Sequence, residues 1–257
     1  MYPIFPENLP DVSVLRSGHY VTDFARNTGE LEEVQRLRFE VFNLEMGEGL
    51  DDSYLTSMDV DAYDVHCHHL IVRDQRDGSL VGTYRLQSRR MSETGHGFYS
   101  ATEFDLGALS DEILDQALEL GRACISKSHR NGRVLFLLWR GLLAYADFNR
   151  LTYMFGCCSL TSQDAREGWA LYQRLGRAGH LHERYALAVQ EAYRCEKVEV
   201  GEEEIFVAVV PRLMNLYLDY GARVCSVPAV DTAFKTIDFL MLFDRDDIPL
   251  KQKNLFK

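Results

Sequence analysis

The chain has no apolar run reaching the roughly 18 to 20 residues of a membrane span, so no spanning helix is expected. Its opening, MYPIFPENLP, lacks a basic start and an apolar core, so no signal peptide is expected. Basic charge is scarce, with a formal net charge of -11, and that argues against the broad cationic surface nucleic acid requires. The six cysteines, at 67, 124, 157, 158, 195 and 225, include no CxxC pair. Reduced cytoplasmic thiols suit that spacing better than a disulfide framework. There is no internal repeat, low-complexity tract or linker. What remains is a 257-residue chain, 46% hydrophobic and 26% charged, able to bury a sizeable core without staples.

Periodicity orders the chain. Residues 1–18 look irregular. His19 to Phe24 reads as a short strand, and Gly29 to Leu44 as a helix with Leu31, Val34, Leu37, Val41 and Leu44 at helical steps. Met46 to Val65 is a long acidic loop, of the kind that is usually functional or mobile. HHLIVR (68–73) and LVGTYRL (80–86) read as a hairpin about an Asp-Gly turn. Strands are further expected at Leu118 to Ile125, Tyr153 to Leu160, Ile205 to Val210, Ala222 to Val227 and Thr236 to Phe243. Helices are expected at Val134 to Tyr145, Asp164 to Leu175 and Arg212 to Tyr220. The sum is one α/β domain with a mixed sheet flanked by helices over residues 19–245, ending in a tail at 246–257.

One stretch organises the rest. LELGRACI (118–125) runs through the polar turn Ser126 to Gly132 into the apolar helix 134–145, and a helix N-terminus at a strand's end receives anionic groups. Between Leu120 and Ala146 there is no acid, but there are Arg122, Lys127, Arg130, Arg133 and Arg140. Glu119 and Arg122 stand three apart, so a regular strand points them to opposite sides. A bulge at Gly121 would bring them to one face. Not all of Phe136, Leu137 and Trp139 can face the sheet. His66, Cys67, His68 and His69 alternate in direction on a strand and have no distant ligand partners, so no metal site is expected. Cys124, Cys157 and Cys158 read as buried small hydrophobes.

The pieces RLRFEVFNLEMG, DVDAYDVHCHHLIVRD, VGTYRL, GFYSATEFDL, LELGRACI, FLLWRGLLAY and FGCCSL, in this order, resemble the GNAT acyltransferases. They look like the branch of N-acyl amino acid synthases and ornithine Nα-acyltransferases, many of them labelled hemolysins. Acyl-homoserine lactone synthases share part of the pattern, and Arg38, Asp59, Asp61, Asp64, Arg85, Glu119 and Arg122 fall on the matching places. The missing tryptophan turn after the first helix and the long tail after residue 200 favour the amino acid acylating branch.

The resemblance implies a cytoplasmic, membrane-peripheral N-acyltransferase with no resident cofactor. A long, 3-hydroxylated acyl chain would pass to an amino acid's α-amine, ornithine before glycine or tyrosine. Glu119 would act as base with Arg122 beside it. Arg38, Asp59, Asp61, Asp64, Arg85 and Phe104 would bind substrate, the acids taking a cationic side chain, and Phe136, Leu137 and Trp139 would line an acyl tunnel. The turn 126–132 holds only one glycine, unlike the pyrophosphate loop of coenzyme A-dependent relatives. An acyl carrier protein, whose surface is acidic, would suit Lys127, Arg130, Arg133 and Arg140. The rival from another class is a membrane-active protein without catalysis.

Overall fold

The computed structural model describes residues 2–248. The chain packs as two compact units, residues 2–97 with 118–152, and residues 98–117 with 153–248. The sequence suggested one domain over 19–245; most of the tail expected at 246–257 lies outside the described residues.

In the first unit, five strands pair antiparallel in chain order: β1 (Arg16–Ser17), β2 (Tyr20–Phe24), β3 (His68–Asp74), β4 (Leu80–Ser88) and β5 (Ala117–Ile125). The helices are α1 (Thr28–Phe39), the single turns α2 (Ser53–Thr56) and α3 (Arg89–Ser92), and α5 (Arg133–Phe148). Strand periodicity decides what each face carries. His68 and Leu70 point to α5, where His68 Nδ1 meets Tyr145 Oη at 2.9 Å. A Cβ on Gly141 would come within 2.7 Å of Leu70, so the helix seats there only because residue 141 has no side chain. Gly82 on β4 does the same for Val134. Ile71 points the other way, packing with Val34 of α1. The central strands β3 and β4 are thus covered on both faces, which explains their near-continuous apolar runs.

The second unit holds β6 (Tyr153–Leu160), β7 (Arg223–Val224), β8 (Ala229–Asp231) and β9 (Thr236–Asp244). β9 pairs antiparallel with the other three. Its helices are α4 (Asp111–Asp115), α6 (Ala165–Arg177), α7 (Glu202–Val207) and α8 (Arg212–Asp219). Phe98, Phe104, Leu106, Phe155 and Leu240 share its core.

Four expectations need correction. Ile205 to Val210 is not a strand. Glu204 accepts the Gly201 N–H at 2.7 Å and three acids fill the first turn, so capping and dipole start α7 instead. The helix expected to Leu44 leaves α geometry after Phe39 and continues as a π-helix over Glu40–Met46, closed by Gly47 at φ 71°. The strand expected at 222–227 shortens to the two residues of β7. Residues 2–18, expected to be irregular, include the 3₁₀ turn Pro6–Asn8 and β1.

Candidate active site

The site begins on α1. Asn27 caps that helix by accepting the Glu30 N–H at 3.0 Å, which fixes its phase. The buried stripe Leu31, Val34, Gln35 then continues at the next helical step with Arg38, which is 0% exposed. A cation with no water must be paired and hydrogen-bonded. The acidic loop supplies the partners. Asp59 donates its N–H to the Gln35 carbonyl at 3.0 Å, anchoring the loop against α1. Arg38 Nε then donates to Asp59 Oδ2 at 2.7 Å, and Nη1 to Asp64 Oδ1 at 2.7 Å. Gln35 Nε2 donates to the other oxygen of Asp64 at 2.9 Å.

The sheet brings two more arginines. His69, Arg85 and Gly121 are neighbours in register across β3, β4 and β5, on the face that carries α1. Arg85 Nη1 donates to Asp61 Oδ2 at 2.5 Å and to Asp64 Oδ1 at 3.1 Å. The β4–β5 register then slips: Arg85 pairs with Gly121, but Thr83 pairs with Cys124. The extra residue lies at 122–123, and Arg122 has φ 50°, in the left-handed region. The bulge expected at Gly121 therefore sits one step later, on a residue that bears the strain itself. It turns the Arg122 side chain to the face of Arg85, where Nη2 donates to Asp61 Oδ2 at 3.0 Å and Nε lies 3.4 Å from Asp59 Oδ2.

Six of the sequence-named residues thus form one network of three arginines and three aspartates. Burial alone would raise Asp64, but Arg38 and Arg85 hold it well below the usual carboxylate range. Asp61 is likewise lowered against its burial by Arg85 and Arg122. Burial pushes His69 down to about 4, so it is neutral and its Nε2 sits 3.1 Å from the Asp64 carbonyl. Asp59, Asp61 and Asp64 thus each face at least one guanidinium, and their charge is matched within the network.

Glu119 stands on β5 opposite Gln87, two residues before Gly121, and is 5% exposed. It lies near enough to Cys67 that its charge raises that thiol, after burial and against Arg85. Beyond the bulge, Lys127, Arg130 and Arg133 are exposed at the turn and the start of α5. Arg130 is committed to Glu45, through bonds of 2.6 and 2.8 Å. Arg140 stacks over Phe136 at 5.8 Å. Leu137 and Trp139 are buried and Phe136 half-buried. The histidines of the run at 66–69 do not converge: His68 binds Tyr145 and the Ile4 carbonyl, His69 the Asp64 carbonyl, and His66 packs against His96.

Phe104, expected to bind substrate, is 0% exposed in the core of the second unit. Its neighbour Glu103 went unassigned and is the more informative residue. Glu103, Cys157 and Asp238 bring their ligand atoms within 4.8 Å of one another. Glu103 is 0% exposed and Asp238 3%. Burial, then Asp238 and Asp231, push the Glu103 carboxyl up to about 10. Burial raises Asp238 to about 6. The available signal was an aspartate inside the apolar strand TIDFLML; nothing local marked Glu103 as buried.

Comparison with known proteins fits this geometry. A family model for the acetyltransferase (GNAT) domain matches residues 37–140, from the last turn of α1 to the middle of α5. The L-ornithine N(alpha)-acyltransferase of Rhizobium meliloti (strain 1021) is 32% identical over 88% of this chain and 80% of its own. That of Agrobacterium fabrum (strain C58 / ATCC 33970) is 34% identical over 88% and 81%. FeeM, an N-acyl amino acid synthase from uncultured soil microbes, has the same fold at 10% identity, with a TM-score of 0.51 over 92% of this chain and 100% of its own. The mixed sheet with flanking helices is the GNAT fold, and the chain belongs to the GNAT acyltransferase family that includes these L-ornithine N(alpha)-acyltransferases.

Proposed function

We propose that the protein transfers a long 3-hydroxyacyl chain from the thioester of acyl carrier protein to the α-amine of ornithine, giving a lyso-ornithine lipid. The observation that carries this reading is the identity to ornithine acyltransferases along most of both chains. In the reaction, the neutral amine nitrogen bonds to the thioester carbon and a tetrahedral oxyanion forms. The C–S bond then breaks, the sulfur leaves as thiol, and the amine proton passes through a base. Glu119 is the base, directly or through one water. It stands on the strand that carries the bulge, with Arg122 turned to the same face. The ion network holds that face rigid: Arg122 is fixed by Asp59 and Asp61, which Arg38 and Arg85 fix in turn. Lys127 and Arg133 steer the acidic carrier to the strand's end.

The test is reconstitution. Purified protein, 3-hydroxyacyl carrier protein and a mixture of amino acids should give N-acylornithine, identified by mass spectrometry. Acylation of another amino acid ahead of ornithine would reject the acceptor. Turnover with acyl-coenzyme A alone would reject the donor.

A further inference from the structure

We infer that Gln87 is a specificity residue whose side-chain amide reads the 3-hydroxyl of the acyl chain. The assignment rests on the reading that the donor is a 3-hydroxyacyl thioester and that its carbonyl reacts at Glu119. Strand register places the residue. On β4, Arg85 pairs with His69 of β3 and with Gly121 of β5, and Gln87 pairs with Glu119 of β5. Side chains two apart on a strand share a face, so Gln87 stands beside Arg85 and directly across the ladder from Glu119. The Cβ atoms of such opposed pairs lie about 4.5–5.5 Å apart. All of these residues belong to the first unit.

Gln87 has no partner of its own. It is 1% exposed. Neither Nε2 nor Oε1 finds a hydrogen bond among the described residues. The polar side chains beside it are committed elsewhere: Arg85 donates to Asp61 and Asp64, and His69 Nε2 meets the Asp64 carbonyl. An unpaired amide in the interior is costly, and an apolar residue of the same shape would avoid that cost. Such a group is retained where something enters to satisfy it.

The amide selects the entrant. It offers donors at one end and an acceptor at the other, so only a group that both accepts and donates satisfies the two. A carboxylate or the thioester carbonyl accepts only, and an ammonium donates only. The attacking amine does both, but its lone pair goes to the thioester carbon and its proton to Glu119. A hydroxyl fits, accepting from Nε2 and donating to Oε1. On a 3-hydroxyacyl thioester it sits two carbons from the reacting carbonyl, a reach comparable with the roughly 4.8 Å between neighbouring strands. With the carbonyl at Glu119, the hydroxyl falls at Gln87.

Two donors test the role. The full chain is given ornithine with 3-hydroxyacyl carrier protein, or with acyl carrier protein of the same chain length lacking the hydroxyl, and kcat/KM is measured for each. The parent should prefer the hydroxylated donor by about 10- to 150-fold. Gln87→Met, which keeps length and volume, should abolish that preference, with the loss falling on the hydroxylated donor. Gln87→Leu should do the same, so the result does not hang on one side-chain shape. Both should melt at or above the temperature of the parent, because two unsatisfied polar atoms are removed. If both melt several degrees lower, the amide is already satisfied in the free protein by trapped water, and the role is overturned. Equal losses with the two donors make Gln87 structural and overturn it as well, as does a preference that survives both substitutions. Equal use of the two donors by the parent overturns the role and leaves acyl transfer to ornithine standing. No amide from either donor overturns the proposed function, and this role with it.

Discussion

Arg38 is a charge in the middle of a helix's apolar stripe, tolerable only because Asp59 and Asp64 meet it at 2.7 Å. Removing one member of a buried pair strands the other, at a cost of about 3 to 5 kcal/mol. Asp64→Asn and Arg38→Ala should each lower stability by that order in urea denaturation. A loss under 1 kcal/mol would mean the network is wet and weakly coupled. Glu119→Gln differs in kind. It keeps size and hydrogen bonding, so it should leave folding near the parent and cut amide formation about 10²- to 10⁴-fold. Turnover within a few-fold of the parent at saturating substrates would remove Glu119 from the role of base. All six charged residues of the network were readable from the sequence as a group. Which acid meets which arginine was not, because the pairing depends on a loop folding back onto α1 and on a register slip between two strands.

The element that sets the site is β5 with its bulge, followed by α5. Its boundaries were legible: an apolar strand, a polar turn and a helical stripe each carry their own period. The bulge was legible as a need, since Glu119 and Arg122 cannot share a face without one, but its place was misjudged. Glycine marks permissive backbone, yet here Arg122 takes the left-handed conformation at φ 50°, with its side chain hydrogen-bonded to Asp61 and ion-paired with Asp59. The turn after β5 yields a prediction of its own. Arg130 is locked to Glu45, so the docking charges to test are Lys127 and Arg133. Reversing both to Glu should slow use of acyl carrier protein several-fold more than use of a short pantetheine thioester. The difference should shrink with added salt. Equal losses with both donors would place carrier recognition elsewhere. α7 shows the opposite failure. Its apolar IFVAVV run suggested a strand, but Phe206, Val207 and Val209 are exposed, and three leading glutamates determine a helix.

Across the molecule, the two acid groups respond oppositely to pH. Asp61 and Asp64 are depressed in the folded state, so their contribution is complete above the unfolded value of 3.8 and is lost as pH falls below it. Glu103 and Asp238 are raised, from 4.5 to about 10 and from 3.8 to about 6. The folded chain keeps their protons after the unfolded chain has released them. Stability from this cluster is therefore complete below about pH 4 and declines upward, by about 1.4 kcal/mol per pH unit for each proton retained. In the absence of amino acids, melting temperature should fall between pH 5 and 8, and Glu103→Gln should flatten that fall and stabilise the protein at pH 8. An unchanged slope in the variant would show that Glu103 is ionised and already satisfied. No described helix is long and apolar enough to cross a membrane.

The central claim, that this GNAT-family enzyme acylates the α-amine of ornithine from acyl carrier protein, meets its most direct test in product identity. Purified protein is given 3-hydroxyacyl carrier protein with ornithine, lysine, glycine, tyrosine and norvaline at equal concentration, and the amides are resolved by mass spectrometry. N-acylornithine should dominate, and its formation should collapse in Glu119→Gln. A product mixture led by a neutral amino acid, or no amide at all, would contradict the claim.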